Sequence, residues 1–310
     1  MIALIGRRLA MMALIMLVTS FLLFIGFESD KFFVAGKALG PYSTDIQRLE
    51  WLSRNGYDTP FLWRYLAWIG HMLTGNFGTS IQYNTPVAKI IFPSLANTGI
   101  LALWVFVLTI AVAMVLGVWS GIAEGSWHDR VVTVISVVTT SIPEFASATF
   151  LLAIFVYWSD LLPGTSSGTL GFFDVGLVLP VTVLVLYNFG YYTRMVRASM
   201  AEVITSHYIR TAVLKGMPPH RVVMRHALRN AMIAPFTVMM LQINYLLSGV
   251  IVTEVVFAID GFGRRLFEAA SYGDIFVIEA CTIVAIFIAV TTQFLSDVGY
   301  LFLNPRIRFS

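Results

Sequence analysis

RMVRASMAEVITSHYIRTAVLKGMPPHRVVMRHALRN, residues 194–230, is the one long polar and basic interruption in the otherwise apolar second half of the chain. It carries seven Lys or Arg residues (Arg194, Arg197, Arg210, Lys215, Arg221, Arg225 and Arg229) against a single acid, Glu202. Between two membrane spans, such a basic segment belongs on the cytoplasmic side. Its local signals describe two short helices with a break between them. Ser206 is placed to cap the first, and Gly216 to end it in the left-handed conformation. Pro218 and Pro219 block continuation, and Pro219 suits the first turn of a second helix. There Arg221, Arg225 and Arg229 recur every fourth residue on one face, while Val222, Val223 and Ala227 make a small apolar side. A hairpin with so little core of its own calls for a docking partner. A solvated positive-inside loop is the plainer reading of the same residues.

Composition sets the environment. The chain has 310 residues, of which 58% are hydrophobic and 12% charged, about half the roughly 25% charge of soluble domains. Mean hydropathy is +0.81. This is an integral membrane protein of all-α class, and its net charge of +3 speaks to orientation, not to nucleic acid. A single cysteine, Cys281, in an apolar run excludes a disulfide framework and a thiolate metal site and reads as a small buried hydrophobe.

Working outward from the basic loop, six spans are predicted. Arg7 and Arg8 precede an apolar run from Leu9 to Phe27, long enough to cross a bilayer and read as a retained first span. The second span runs from Asn97 to Gly121. The third runs from Val131 to Trp158, kinked at Pro143, with Glu144 directly after the proline. A carboxylate at that depth is costly unless it meets protein, water or a partner charge. Glu144 is therefore a candidate pathway residue, or a carboxylate satisfied by the freed backbone at the kink or by a neighbouring helix. The fourth span is Asp174 to Tyr192 and the fifth Ala231 to Phe257, with Glu254 near its outer end. The sixth is Val277 to Leu303, carrying Glu279 near the outside and Asp297 near the inside.

Between the first two spans, Phe61 to Leu73 (FLWRYLAWIGHML) is too short and amphipathic to span. It predicts an interfacial helix with Trp63, Tyr65 and Trp68 at headgroup level, ended by a turn at Gly75-Asn76-Phe77-Gly78. Ser159 to Phe173 is an external turn, and Ala258 to Phe276 an external, re-entrant-like segment. The organisation is thus a tail and first span at 1–27, an external segment at 28–96, a five-helix core at 97–303 containing the loop 194–230, and a cytoplasmic tail at 304–310. Counted on this topology, the inside holds twelve bases and three acids, the outside eight bases and nine acids. That asymmetry places both termini inside.

Several chemistries lack their motifs. The sequence has no G-x-x-x-x-G-K-[ST] phosphate loop, no H-E-x-x-H and no G-x-S-x-G. The histidines (His71, His128, His207, His220, His226) form no metal-ligand spacing within a span. No catalytic residue, cofactor site or metal site is expected in this chain.

The loop resembles the signature cytoplasmic loop of permease subunits in ATP-binding-cassette importers, in the peptide/nickel branch. The resemblance rests on Tyr208-Ile209-Arg210-Thr211-Ala212-Val213-Leu214-Lys215-Gly216 followed by Arg221-Val222-Val223-Met224-Arg225-His226-Ala227-Leu228-Arg229-Asn230-Ala231. It extends to Arg64-Tyr65-Leu66 with Gly75-Asn76-Phe77-Gly78-Thr79-Ser80, to Ser141-Ile142-Pro143, and to Gly249-Val250-Ile251-Val252 through Gly261-Phe262-Gly263. It also takes in Asp297 with Asn304-Pro305-Arg306-Ile307-Arg308. It covers nearly the whole chain and is most similar to the B-type permease of oligopeptide and dipeptide importers. Two places depart from the pattern. Phe27-Glu28-Ser29-Asp30-Lys31 stands where a Pro-Gly-Asp-Pro-like turn is usual, and Glu144 stands where small or aromatic residues are usual.

The resemblance implies a type I importer permease fold in a bacterial or archaeal inner membrane. Tyr208, Arg210, Thr211, Ala212, Lys215, Gly216, Arg221 and Arg225 would form the ATPase-coupling loop. The implied partners are a second homologous permease chain, two ATPase subunits that hold ATP and Mg, an external solute-binding protein and membrane lipid. Pro143 and Glu144 are the translocation-pathway candidates. The transported solute would be a peptide or a related small solute such as a nickel chelate, opine or oligosaccharide. A stand-alone channel or secondary carrier is the alternative; its expected mark, paired midplane charges in two repeats, is not seen.

Overall fold

The protein is described by a computed structural model covering residues 2–28, 30–40, 42–166 and 168–303. Ser29 and the Asn304–Arg308 stretch lie outside the described residues. Among the described residues every regular element is helical, and the only β pairing is an isolated bridge between Thr79 and Pro86. The helices are α1 (Ile2–Glu28), α2 (Lys31–Leu39), α3 (Asp45–Arg54), α4 (Phe61–Leu73), α5 (Ala88–Ile122), α6 (Trp127–Ser141), α7 (Glu144–Leu152) and α8 (Val178–Ile204). They continue as α9 (His207–Leu214), α10 (Pro219–Arg221), α11 (Leu228–Ala231), α12 (Ile233–Gly249), α13 (Ile251–Val256), α14 (Phe262–Tyr272) and α15 (Ile275–Leu303). A π-helical stretch, Ala153–Trp158, extends α7, and another, Val222–Ala227, joins α10 to α11.

Five stretches are long and apolar enough to cross a membrane: Gly6–Glu28, Ala88–Ile122, Val175–Ile204, Ile233–Val256 and Ile275–Gly299. A sixth exists only if α6 and the α7 segment count as one broken span. Here the structure corrects the expected kink, because the two pieces meet at 94°. The cause is local. The residue before a proline is pushed out of the helical region, so Ile142 (ψ 123°) and Pro143 (ψ 142°) are both extended. Two consecutive extended residues redirect a chain, whereas a proline inside a helix only bends it.

The chain divides into two compact units. The first comprises Met1–Thr98, Leu247–Ile251 and Asp260–Phe294. In it α4 packs along α1: Phe21 and Phe24 meet Phe61 and Tyr65 edge-on or tilted, and Ser20 and Tyr65 share a hydrogen bond of 2.9 Å. Tyr65 is therefore buried, not at headgroup level as expected; of the three aromatics, Trp63 is the one fully turned outward, at 68% exposure. Two aromatics on the face toward α1 made the inner packing more favourable than the interfacial one. Asp274 organises the rest of this unit. It accepts from Ser80 Oγ at 2.5 Å and from the Gln82 amide at 3.2 Å, and caps α15 through the Val277 amide. Cys281 is fully buried in the apolar cluster alongside.

The second unit comprises Gly99–Leu246, Val252–Ile259 and Leu295–Ser310, and α8 is its axis. Small residues let neighbouring backbones approach α8 closely. A Cβ on Gly117 would sit 2.8 Å from the Thr193 carbonyl, and one on Gly121 2.8 Å from the Arg197 carbonyl. These glycines, four apart on α5, seat it against Val196 and Met200. Gly190 of α8 in turn lies against the Ser136 carbonyl of α6.

Candidate functional site

The basic loop folds as the two-helix hairpin its sequence describes. Pro218 and Pro219 enter α10 with Pro219 in the first turn. Gly216 takes φ +74°. With Lys215 as C-cap, the Gly216 amide donates to the Val213 carbonyl (2.9 Å) and the Met217 amide to the Ala212 carbonyl (3.4 Å). That pair of bonds is a Schellman motif. Ser206 differs from expectation: it occupies the N-cap, but its hydroxyl donates backward to the Val203 carbonyl at 2.6 Å. It satisfies the end of α8 instead of the start of α9.

The hairpin also has more core than its composition promised. Ile209, Ala212, Val222, Ala227 and Ala231 are buried together with Ala113 of α5, Tyr192, Val196 and Met200 of α8, and Met239 of α12. The apolar partner is thus the unit itself. Ala212, named with the coupling loop, is 6% exposed and belongs to this core. The helical period decides this: Ile209 and Ala212, three apart, point inward, which turns the rest of α9 outward. Tyr208, Arg210, Thr211, Lys215, Gly216, Arg221 and Arg225 are all exposed. So are Val213 (56%) and Leu214 (81%), two aliphatic residues the sequence reading passed over. An unburied Val-Leu pair at the helix end, beside Lys215, was the signal for them. Asn230 Nδ2 donates to the Tyr208 hydroxyl at 3.1 Å, tying the two arms of the hairpin together.

A second cluster fixes the mount. Arg197 on α8 donates to Asp129 on α6 through Nε (2.6 Å) and Nη2 (2.8 Å), a bidentate charge pair. Ser120 Oγ and the Gly125 amide also bond the same carboxylate. Asp129 is 3% exposed. Sequence reading counted both residues only as loop charges; their pairing, 68 positions apart, carries no local signature.

Pro143 and Glu144 sit together at the break between α6 and α7. Glu144 opens α7, where a carboxylate suits the helix dipole. It accepts hydrogen bonds from Thr253 Oγ1 and from the Tyr245 hydroxyl, the latter at 3.3 Å. Its partners are hydroxyls, and it is partly buried. Glu254, placed by the sequence near a span end, is fully buried.

Five long apolar helices, a bent helix pair and a polar, basic hairpin describe a multi-pass membrane protein. Comparison with known proteins makes the class specific. Residues 113–309 match the family described as binding-protein-dependent transport system inner membrane component. A Brucella abortus (strain 2308) protein whose name describes a peptide transport system permease is 31% identical over the full length of both chains. The oligopeptide transport system permease protein AppB of Bacillus subtilis (strain 168) is 31% identical across 87% of this chain and 88% of its own. The dipeptide transport system permease protein DppB of Alkalihalophilus pseudofirmus is 32% identical across 83% and 84%. The chain belongs to the binding-protein-dependent inner membrane component family. It is a multi-pass inner-membrane permease component of an ATP-binding-cassette importer, not the ATPase itself.

Proposed function

We propose that this chain is the B-type permease of a peptide importer, driven through the 194–230 hairpin by separate ATPase subunits. The observation that carries the reading is the outward face of α9. It presents Tyr208, Arg210, Thr211, Val213, Leu214 and Lys215 on a mount fixed by Ile209, Ala212 and the Gly216 turn. An aliphatic knob ringed by cations and hydroxyls has the composition of an interface centre with a polar rim. Two ATPase subunits, holding ATP and Mg, receive this hairpin and that of a second homologous permease. An external solute-binding protein delivers the peptide. Both termini and the hairpin face the cytoplasm, as the charge asymmetry favours. Closure of the ATPases on ATP favours one arrangement of the spans, and hydrolysis releases it. Pro143 and Glu144, at the broken span, line the pathway, since irregular backbone at membrane depth is tolerated only against protein or water. Peptide as the cargo follows the relatives' names.

Co-purification of the tagged chain from its native membrane, followed by ATP-driven peptide uptake in proteoliposomes, tests the reading. Recovery of a second permease, ATPase subunits and a binding protein is expected. Leu214→Asp should leave the chain folded and inserted but release the ATPase subunits. Retention of those subunits by the variant, or uptake without ATP, would overturn the assignment.

A further inference from the structure

The first unit holds a cavity of about 430 Å³, inside the range of about 300–1,000 Å³ found for small-molecule sites. Its walls are aromatic: Phe24, Trp51, Tyr57, Trp68, Phe77 and Phe276. Three charged side chains also line it, Glu28, Arg64 and Glu279, and they are 4%, 8% and 1% exposed. Neither Arg64 nor Glu279 is used by the coupling mechanism.

Their bonding is incomplete in a specific way. The Arg64 guanidinium stands 4.8 Å from the centre of the Tyr57 ring and 5.8 Å from that of Phe24. Such contacts fix its plane. Nη2 donates to the Glu28 carbonyl at 3.2 Å, and Nη1 lies 3.7 Å from the Glu28 carboxylate, too far for a hydrogen bond. Glu28 is already engaged by the Tyr57 hydroxyl at 2.7 Å. Burial and that carboxylate hold the Tyr57 phenol well above its ordinary range, so it remains an O–H donor. Arg64 Nε and Nη1 are left as buried donors with no partner. On the other wall, Glu279 Oε2 accepts from the Trp68 indole at 2.9 Å, and Oε1 is left as a buried acceptor with no partner. Buried polar atoms without hydrogen-bond partners are uncommon and costly. One cavity here holds an orphan carboxyl oxygen and orphan guanidinium donors, both among aromatic rings that favour an ammonium and apolar groups.

We propose that this cavity binds a zwitterionic amino acid or short peptide, its ammonium on Glu279 Oε1 and its carboxylate on Arg64 Nε and Nη1. That such a ligand is also the transported solute rests on the peptide-importer reading above; the binding itself does not.

The test is calorimetric titration of the full-length chain in lipid nanodiscs with alanyl-alanine, its N-acetyl form and its C-terminal amide. Trp51 and Trp68 give an independent fluorescence signal. Alanyl-alanine should bind, and each blocked form should bind about tenfold or more weakly, as befits one lost charge-assisted bond. Glu279→Gln keeps an acceptor for Trp68 and should abolish the preference for the free amine. Ala67→Leu, which adds bulk to the cavity wall and leaves both charged side chains in the sequence, should weaken all three peptides alike. No binding to the folded wild-type chain, the mark of a cavity that holds water alone, would overturn the site. So would blocked peptides binding as tightly as the free one. Uptake by the reconstituted complex without binding to this chain sinks the site and spares the importer reading. Binding without ATP-driven uptake does the reverse.

Discussion

Arg197→Ala should detach the hairpin's mount from the rest of the second unit. Arg197 makes two short bonds to Asp129, at 2.6 and 2.8 Å, and bonds to charged groups contribute about 1.5–3 kcal/mol each. Stranding one partner of a buried pair costs about 3–5 kcal/mol. The Arg197 side chain is 25% exposed and that of Asp129 4%, so solvent reaches the first and not the second. Removing Arg197 should therefore cost about 3 kcal/mol, at the low end of the range for a buried pair. Asp129→Asn leaves an arginine that can turn to water and to Glu124, 3.5 Å away, and should cost about 2 kcal/mol, the scale of a lost charged bond. The double variant strands nothing, so it should cost about 3 kcal/mol, leaving about 2 kcal/mol of coupling in the cycle. Equilibrium unfolding in mixed micelles measures the four free energies, and hydrogen exchange of the α9 amides reports the loosened mount. Additive single effects, or single effects within about 0.5 kcal/mol of zero, would refute the idea that this pair anchors α8.

Four further substitutions test the site residue by residue. Gly216→Ala forces a Cβ into φ +74° and should cost about 1–2 kcal/mol, read as a lower melting temperature with partner binding retained; Gly216→Pro, which cannot adopt that φ and loses the amide donated to Val213, should break the hairpin and uncouple uptake from ATP hydrolysis. Ala212→Asp buries a charge at a position 6% exposed and should destabilise the unit by about 3 kcal/mol or more; a folded variant of wild-type stability that merely fails to dock would return Ala212 to the surface. Glu144→Gln keeps an acceptor for Thr253 and Tyr245, so stability should hold within about 1 kcal/mol, while uptake of amine-bearing solutes falls; unchanged selectivity would make Glu144 a local bonding group only.

What the sequence disclosed depended on how local the cause was. The hairpin was legible because its determinants lie within a few residues: Gly216 needs a left-handed φ, Pro219 fits only a first turn, and Val222 and Ala227 mark an apolar side. The helix at Phe61–Leu73 was legible from its length and aromatics, but its burial was not, since that depended on Phe21 and Phe24 of a helix forty residues away. Longer separations hid the Asp129–Arg197 pair, 68 positions apart, and the neighbours of Glu144, 101 and 109 positions away. Pro143 gave the position of the break and not its size, because the angle depends on Ile142 also going extended. The burial of Ala212 was hidden for a related reason. A short amphipathic helix shows from sequence which residues share a face, while which face is covered depends on what α8 supplies.

These contacts also constrain how force entering at α9 can travel. A flexible mount would dissipate a movement of the ATPase subunits in the loop itself. Here Ile209 and Ala212 share one buried apolar cluster with Met200 and Val196 of α8, so a shift of α9 disturbs packing against α8. Along α8 the same one-sided contact is repeated: Gly121 and Gly117 of α5 admit no side chain, Arg197 is clamped to α6, and Gly190 lies against the Ser136 carbonyl. Ser136 is two turns before the point where α6 breaks at Pro143. Close-packed interfaces without slack move as bodies or change register; they do not deform gradually. On the importer reading, displacement of α9 thus travels toward the α6–α7 break, where Ile142 and Pro143 leave the helix and Glu144 accepts bonds from two hydroxyls. A bulky residue at Gly190, which would wedge α8 away from α6, should leave ATPase docking intact yet disconnect it from the spans. That combination, with docking kept and transport lost, separates a transmission element from a docking element.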